Sequence, residues 1–142
     1  TPTALAESEQ GPLWYRGLSQ GDESAEMAAH LDALLERYDV DRIVLGHTPG
    51  YATIVPRFDS RVLVADAGIA DYYGGHLASL LIEDGKLFTI QRGQRVEIPD
   101  SDAGRLAYYR AINEIEPGVN NLLFMIQTLE QAATAQAPGT GS

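Results

Sequence analysis

The chain contains no cysteine, which excludes thiolate metal sites, disulfides and cysteine nucleophiles and leaves redox compartment unread. It is also poor in cations, with 10 Lys+Arg against 20 Asp+Glu and a formal net charge of −10. So acidic a chain is a poor match to a phosphate backbone, which needs Lys/Arg neutralisation, and nucleic acid is excluded as a partner. A small phosphorylated substrate is not excluded, because a metal and one or two arginines make a local positive site on an acidic protein. Long apolar runs are missing: none approaches a membrane span. Thr1–Gln10 also lacks the basic-then-apolar order of a signal peptide. The expectation is a soluble chain with no membrane partner and otherwise unknown localisation. What remains is ordinary for one modest globular domain: 142 residues, 44% hydrophobic and 21% charged.

Three zones follow one another. In Thr1–Gln20, the run Gly11-Pro12-Leu13-Trp14-Tyr15-Arg16-Gly17 predicts an ordered loop, opened by Gly-Pro and closed by Gly. From Asp22 to Pro99, helix and strand signals alternate. Met27, Leu31, Leu34, Leu35 and Tyr38 fall at helical spacing and predict a helix over 24–38, capped by Asp22 or Ser24. Strands are predicted at 42–46, 52–55, 61–65, 77–82, 86–91 and 95–98. Asp84-Gly85 is a hairpin turn between two of them. The third zone predicts helices over 103–115, with Asp102 as cap and Pro117-Gly118 as stop, and over 119–133. The tail 135–142 is small and polar, and reads as disordered. The fold class is α/β with a mixed sheet and hairpins. Its few helices leave a sheet face uncovered, and parallel sheets are normally covered on both faces. That uncovered face or edge makes self-association an expectation.

The sharpest feature is Val44-Leu45-Gly46-His47-Thr48-Pro49, an apolar strand that ends in Gly and presents His47 at its carboxyl edge. In open α/β sheets that edge is where ligands bind. His47 there reads either as a metal ligand or acid–base group, or as a turn histidine satisfied by backbone hydrogen bonds.

Gly46-His47-Thr48-Pro49 after its strand resembles the last metal-ligand motif of the calcineurin-like metallophosphoesterases. Within them it is similar to the phosphoprotein-phosphatase branch and the Shewanella-like phosphatases. Gly11 to Gly17 resembles the segment that delivers a phosphate-contacting arginine in that group. Asp66-Ala67-Gly68 and Tyr73-Gly74-Gly75 resemble its closing segment. The four segments stand in the family's order and span about half of the chain. The resemblance implies that His47 ligates one of two divalent metal ions (Mn, Fe or Zn), that Arg16 grips the phosphate, and that Tyr73 lines the pocket and donates to phosphate. It implies attack on phosphorus by a metal-bridging hydroxide, with the ions about 3.5–4 Å apart. It also implies a β-sandwich flanked by helices in the intact domain.

The departures are specific. Pro49 stands where many relatives carry a second histidine. The earlier motifs Asp-x-His, Gly-Asp-x-x-Asp-Arg and Gly-Asn-His-Glu/Asp, and a His before Arg16, have no counterpart in the chain. The chain is therefore expected to be the C-terminal half of a phosphatase: metallophosphoesterase domain over 1–99, a helical extension over 100–134 and a tail over 135–142. Alone it is expected to bind no metal tightly and to be inactive. Its partners would be a phosphorylated substrate (phosphoprotein or small phosphomonoester) and the N-terminal half. The alternative is a non-catalytic phosphoesterase-like domain that binds a phosphorylated ligand through Arg16 or docks through the exposed sheet surface.

Other residues carry blander readings. His47, Asp66, Asp71 and His76 offer the donor types of a mononuclear site, but His76 reads as a strand-start histidine and Asp66 as a turn former. Trp14 and Tyr15 read as packing that positions Arg16, and Tyr108 and Tyr109 as helix residues that pack.

Overall fold

The computed structural model describes residues 2–9, 11 and 13–136. Pro12 of the predicted loop and residues 137–142 of the predicted tail lie outside them. The described chain is mixed α/β and divides into two compact units, Thr1–Val40 and Asp41–Ser142.

The first unit is helical. It contains α1 (Pro2–Glu7), α2 (Gly17–Gln20) and α3 (Ala25–Tyr38). α3 starts where its sequence says it should: Ser24 is extended, and its hydroxyl accepts from the Met27 amide at 3.2 Å, an N-cap that satisfies one orphan donor of the first turn. Leu31 and Leu35 are its buried face. Tyr38, predicted to share that face, is exposed. It is the last helical residue, directly before Asp39 turns into the left-handed region and ends the helix.

The second unit holds six strands and two helices: β1 (Ile43–Leu45), β2 (Val55–Arg57), β3 (Val62–Val64), β4 (Ala78–Glu83), β5 (Lys86–Gln91), β6 (Gln94–Glu97), α4 (Arg105–Ile115) and α5 (Asn120–Gln136). The first sheet has the order β1-β3-β2, with β1 parallel and β2 antiparallel to β3. Leu45 pairs with Val64, and the Ala65 amide donates to Leu45 O at 2.7 Å. Pro56 sits in β2, an edge strand, where its missing N–H breaks no ladder. The second sheet is an antiparallel meander, β4-β5-β6.

Both meander turns have two residues at positive φ, Asp84 and Gly85 in the first and Arg92 and Gly93 in the second. This mirror-image geometry matches the twist of the flanking strands. The second turn joins β5 to β6 and escaped the sequence reading, because Arg-Gly is a weaker signal than Asp-Gly.

One core serves these elements: Ile54, Val55, Leu63 and Val64 meet Leu87, Ile98, Tyr108, Ile112, Leu122 and Ile126. Within it, the Tyr108 hydroxyl donates to Ile54 O at 2.7 Å. Its one proton is thereby committed, so the Thr53 hydroxyl (3.2 Å) and the Thr89 hydroxyl (2.6 Å) donate to it. Burial pushes the phenol up to about 12, against the pull of the two threonine bonds.

Three sequence expectations need correction. The strand predicted over 52–55 begins only at Val55, because Ala52 adopts φ 63 and its carbonyl and the Thr53 hydroxyl are taken by Gln91 and Tyr108. Asp102 does not cap α4, which starts after Gly104 without a side-chain cap. Instead Asp102 Oδ1 accepts from the Asp59 amide (3.1 Å) while Asp59 Oδ1 accepts from the Asp102 amide (2.8 Å). This reciprocal clasp holds the β2–β3 turn, in which Phe58, Asp59 and Ser60 are all left-handed. Finally, α5 continues through Gln136, past the predicted start of the tail at Ala135.

Candidate functional site

Parallel pairing of β1 and β3 puts their carboxyl ends side by side, so the loop after Leu45 and the loop after Val64 leave the same sheet edge. The first carries Gly46 and His47. The second runs from Ala65 to Leu77 and carries Asp66, Tyr73 and His76. This edge is the crevice position at which open α/β sheets bind ligands.

His47 is exposed, and its backbone is left-handed at φ 58. A non-glycine residue held there costs on the order of 1 kcal/mol and persists only when its surroundings impose it. Thr48 next to it is buried, and Asn121 of α5 donates to Gly50 O at 2.6 Å, so the loop is anchored one to three residues further on. Among the described residues the imidazole makes no hydrogen bond or ion pair. The reading of His47 as a turn histidine satisfied by the backbone is therefore set aside. It is a free imidazole on a strained turn.

The second loop is tightly closed. Asp66 Oδ1 accepts from the Gly68 amide (3.2 Å), the turn-forming role that its sequence suggests. Gly68 O accepts from the His76 amide (3.1 Å), and the Tyr73, Gly74 and Gly75 amides donate to Ala70 or Asp71 carbonyls inside the loop. Asp71–Tyr73 form a single 3-10 turn. Gly68 has φ +78, and a Cβ on it would fall 2.9 Å from Tyr73 Cβ. Gly74 has φ +111, and a Cβ on it would fall 2.3 Å from His76 Nε2. Glycine is required at both, because the Tyr73 side chain and the His76 ring lie where a Cβ would stand. Tyr73 is 51% exposed, Tyr72 is 90% exposed, and their rings meet edge to face at 5.0 Å.

His76 is the partly exposed histidine before a strand that its sequence suggests, and it also has a partner. Its Nδ1 lies 2.7 Å from Glu116 Oε1, with both side chains largely buried. Glu116 follows α4 and is the hub of a small network: Arg92 donates to Oε1 at 2.6 Å, and Gln91 Nε2 donates to Oε2 at 2.5 Å and to Ala52 O at 2.8 Å. Burial alone would raise its carboxyl, but the bonds from Arg92, His76 and Gln91 and the Arg92 charge outweigh it and hold the group below its ordinary value. An ionised carboxylate only accepts, so His76 Nδ1 carries a hydrogen. Sequence reasoning weighed His76 but missed Glu116, Arg92 and Gln91. The available signal was an acid at a helix carboxyl end, which the macrodipole disfavours unless cations answer it.

Arg16 belongs to the first unit. It stands before α2, where its carbonyl accepts from the Ser19 and Gln20 amides and its guanidinium donates to Tyr15 O at 3.2 Å. It lines an open cleft of about 620 Å³ together with Trp14 and Tyr15. Both aromatics are exposed, at variance with a core-packing role; the Tyr15 ring lies over Gly17, and its hydroxyl lies 3.6 Å from Met27 Sδ. The structure thus brings the loops of His47 and Tyr73 to one sheet edge. Among the described residues no group of three or more His, Asp or Glu side chains is placed to hold a metal ion. His47, Asp66, Asp71 and His76 do not assemble into one. Nor is any described helix long and apolar enough to cross a membrane.

Known proteins resemble this chain over part of their length. The crystal structure of a cold-active protein-tyrosine phosphatase from a psychrophilic Shewanella superposes on 66% of the chain with a TM-score of 0.54 and 28% identity, and its I115M mutant with 0.52 and 29%. The likeness covers 27% of those phosphatase chains. An uncharacterized protein of Schizosaccharomyces pombe is 37% identical over 95 residues, which are 63% of this chain and 28% of that protein. No protein-family profile matches. The described fold is phosphatase-like over the matched part.

Proposed function

We propose that the chain is the C-terminal part of a metal-dependent phosphomonoesterase of the calcineurin-like kind, built on a β-sandwich when complete. The observation that carries the reading is His47: an exposed, unpartnered imidazole on a left-handed turn at the carboxyl edge of a parallel strand pair, in a chain with a phosphatase-like fold.

In this reading His47 is a ligand to one of two divalent ions, Mn, Fe or Zn. Arg16 holds the phosphate, for which its planar fork suits two oxygens at once. Tyr73 lines the phosphate pocket with its hydroxyl. The described residues do not by themselves make a coordination sphere, so the other ligands come from the part of the protein that matches the remaining length of its phosphatase neighbours. The substrate is a phosphoprotein or a small phosphomonoester.

The test is hydrolysis of p-nitrophenyl phosphate with added Mn²⁺ by this chain and by a longer parent protein, each beside Arg16→Ala. Activity in the longer protein that disappears with Arg16 supports the proposal. Silence in both favours a non-catalytic domain that binds phosphorylated ligands. Activity in the short chain would show that His47 belongs to a self-sufficient site.

A further inference from the structure

The loop from Gly68 to His76 carries two exposed aromatic rings, yet buries little of its own side-chain surface. Tyr72 and Tyr73 face solvent, Ile69 and Leu77 are exposed, and three of its residues are glycine. Such a segment has little hydrophobic burial to hold one conformation, and glycines raise the entropy lost on ordering. Its internal backbone bonds are of short range; at its far end the Arg92 amide also donates to Leu77 O at 2.7 Å. The side chain within the loop that reaches the rest of the unit is His76, whose Nδ1 bonds Glu116 Oε1 and joins residues 40 apart in the chain.

Glu116 is well suited to be the fixed end. Its carboxylate is buried at the carboxyl end of α4, and two further donors hold it from two directions: Gln91 at the end of β5 and Arg92 in the turn that follows. Gln91 is itself fully buried and tied to Ala52 O. At the other end, the His76 ring sits over Gly74, and the His76 amide closes the loop onto Gly68 O. Tyr73 Cβ and His76 Cδ2 both lie against Gly68, so the ring and the tyrosine share one backbone seat.

We infer that His76 and Glu116 form a latch that positions Tyr73: Glu116 is the anchor, His76 the catch, and the loop between Gly68 and His76 is ordered through them. What Tyr73 is positioned for rests on the phosphatase reading; the latch itself does not. Neither residue touches substrate in this scheme, so both are positioning residues.

Hydrogen exchange on the 142-residue chain, without metal or substrate, tests it. His76→Ala removes the catch but leaves Glu116 bonded to Arg92 and Gln91. The Tyr73, Gly74, Gly75 and His76 amides should then exchange faster by on the order of ten-fold or more, while the β5 amides keep their rates. His76→Asn places an amide N–H near the former Nδ1 and should restore most of the protection. The inference is overturned if His76→Ala leaves the loop amides unchanged, if it accelerates β5 equally, or if His76→Asn restores nothing. The readout needs no turnover. A negative exchange result therefore speaks against the latch, whereas an Arg16→Ala substitution that leaves the longer protein's activity unchanged speaks against the phosphatase reading.

Discussion

The His76 imidazole and the Glu116 carboxylate meet at 2.7 Å across 40 residues of sequence. Glu116 simultaneously takes Arg92 and Gln91. One side chain therefore joins the end of α4, the end of β5, the β5–β6 turn and the loop that carries Tyr73.

Glu116→Gln is nearly isosteric, but it turns one of two acceptors into a donor that faces Arg92, His76 or Gln91. At least one buried donor then loses its partner, at a cost of about 2–3 kcal/mol. Urea denaturation should show that loss as a lower midpoint at an unchanged slope.

Acid should act through the same residue. Its folded carboxyl lies below the ordinary value of 4.5, held down against burial by Arg92, His76 and Gln91. The stability it contributes is therefore complete above pH 4.5 and is lost as pH falls through the lower, folded value. Below pH 4.5, urea midpoints should fall less steeply in Glu116→Gln than in the parent chain. Equal slopes in the two would remove Glu116 from the acid limb.

At the alkaline end the sign is reversed. Tyr108 is pushed from 10.0 to about 12 by burial, so its contribution is intact below pH 10 and fades as pH rises towards 12. A two-unit shift corresponds to on the order of 3 kcal/mol. Absorbance at 295 nm should show Tyr108 ionising late, together with loss of structure. Tyr108→Phe should abolish that late step and, by leaving Ile54 O without its donor, cost about 1–3 kcal/mol at neutral pH.

Gly68→Ala should damage the Tyr73 loop without touching the meander. The new methyl would stand 2.9 Å from Tyr73 Cβ on a backbone at φ +78. A cost of about 1–3 kcal/mol follows from such a mismatch. Proteolysis should then cut within 68–76 before it cuts in β4 or β5. A parent-like cleavage pattern would contradict this.

Much of the architecture was legible because its signals are local. Ser24 caps α3, Asp84-Gly85 turns the first hairpin, and the spacing of apolar residues marks α5. His47 was legible as a candidate because a glycine after an apolar strand is a local pattern. What the sequence could not show is who meets whom across long separations. Asp102 looks like a helix cap until Asp59 claims it from 43 residues away. Glu116 looks like a surface acid until Gln91, Arg92 and His76 surround it. Even the second meander turn was hidden, because left-handed Arg92 is imposed by pairing of β5 with β6 rather than by its own preference.

The order of strands in the first sheet bears on how the chain folds. The β4-β5-β6 meander and the β2–β3 hairpin close over two to four residues each, so they form early and at little entropic cost. The parallel contact of β1 with β3 closes over the intervening β2 strand and its turn, and it consists of three residue pairs. The carboxyl edge with His47 is thus expected to assemble after the hairpins. Sub-global opening is expected to start at the β1–β3 contact while the meander stays closed, so that the exposed His47 imidazole sits on a part of the fold open to rearrangement by whatever binds beside it.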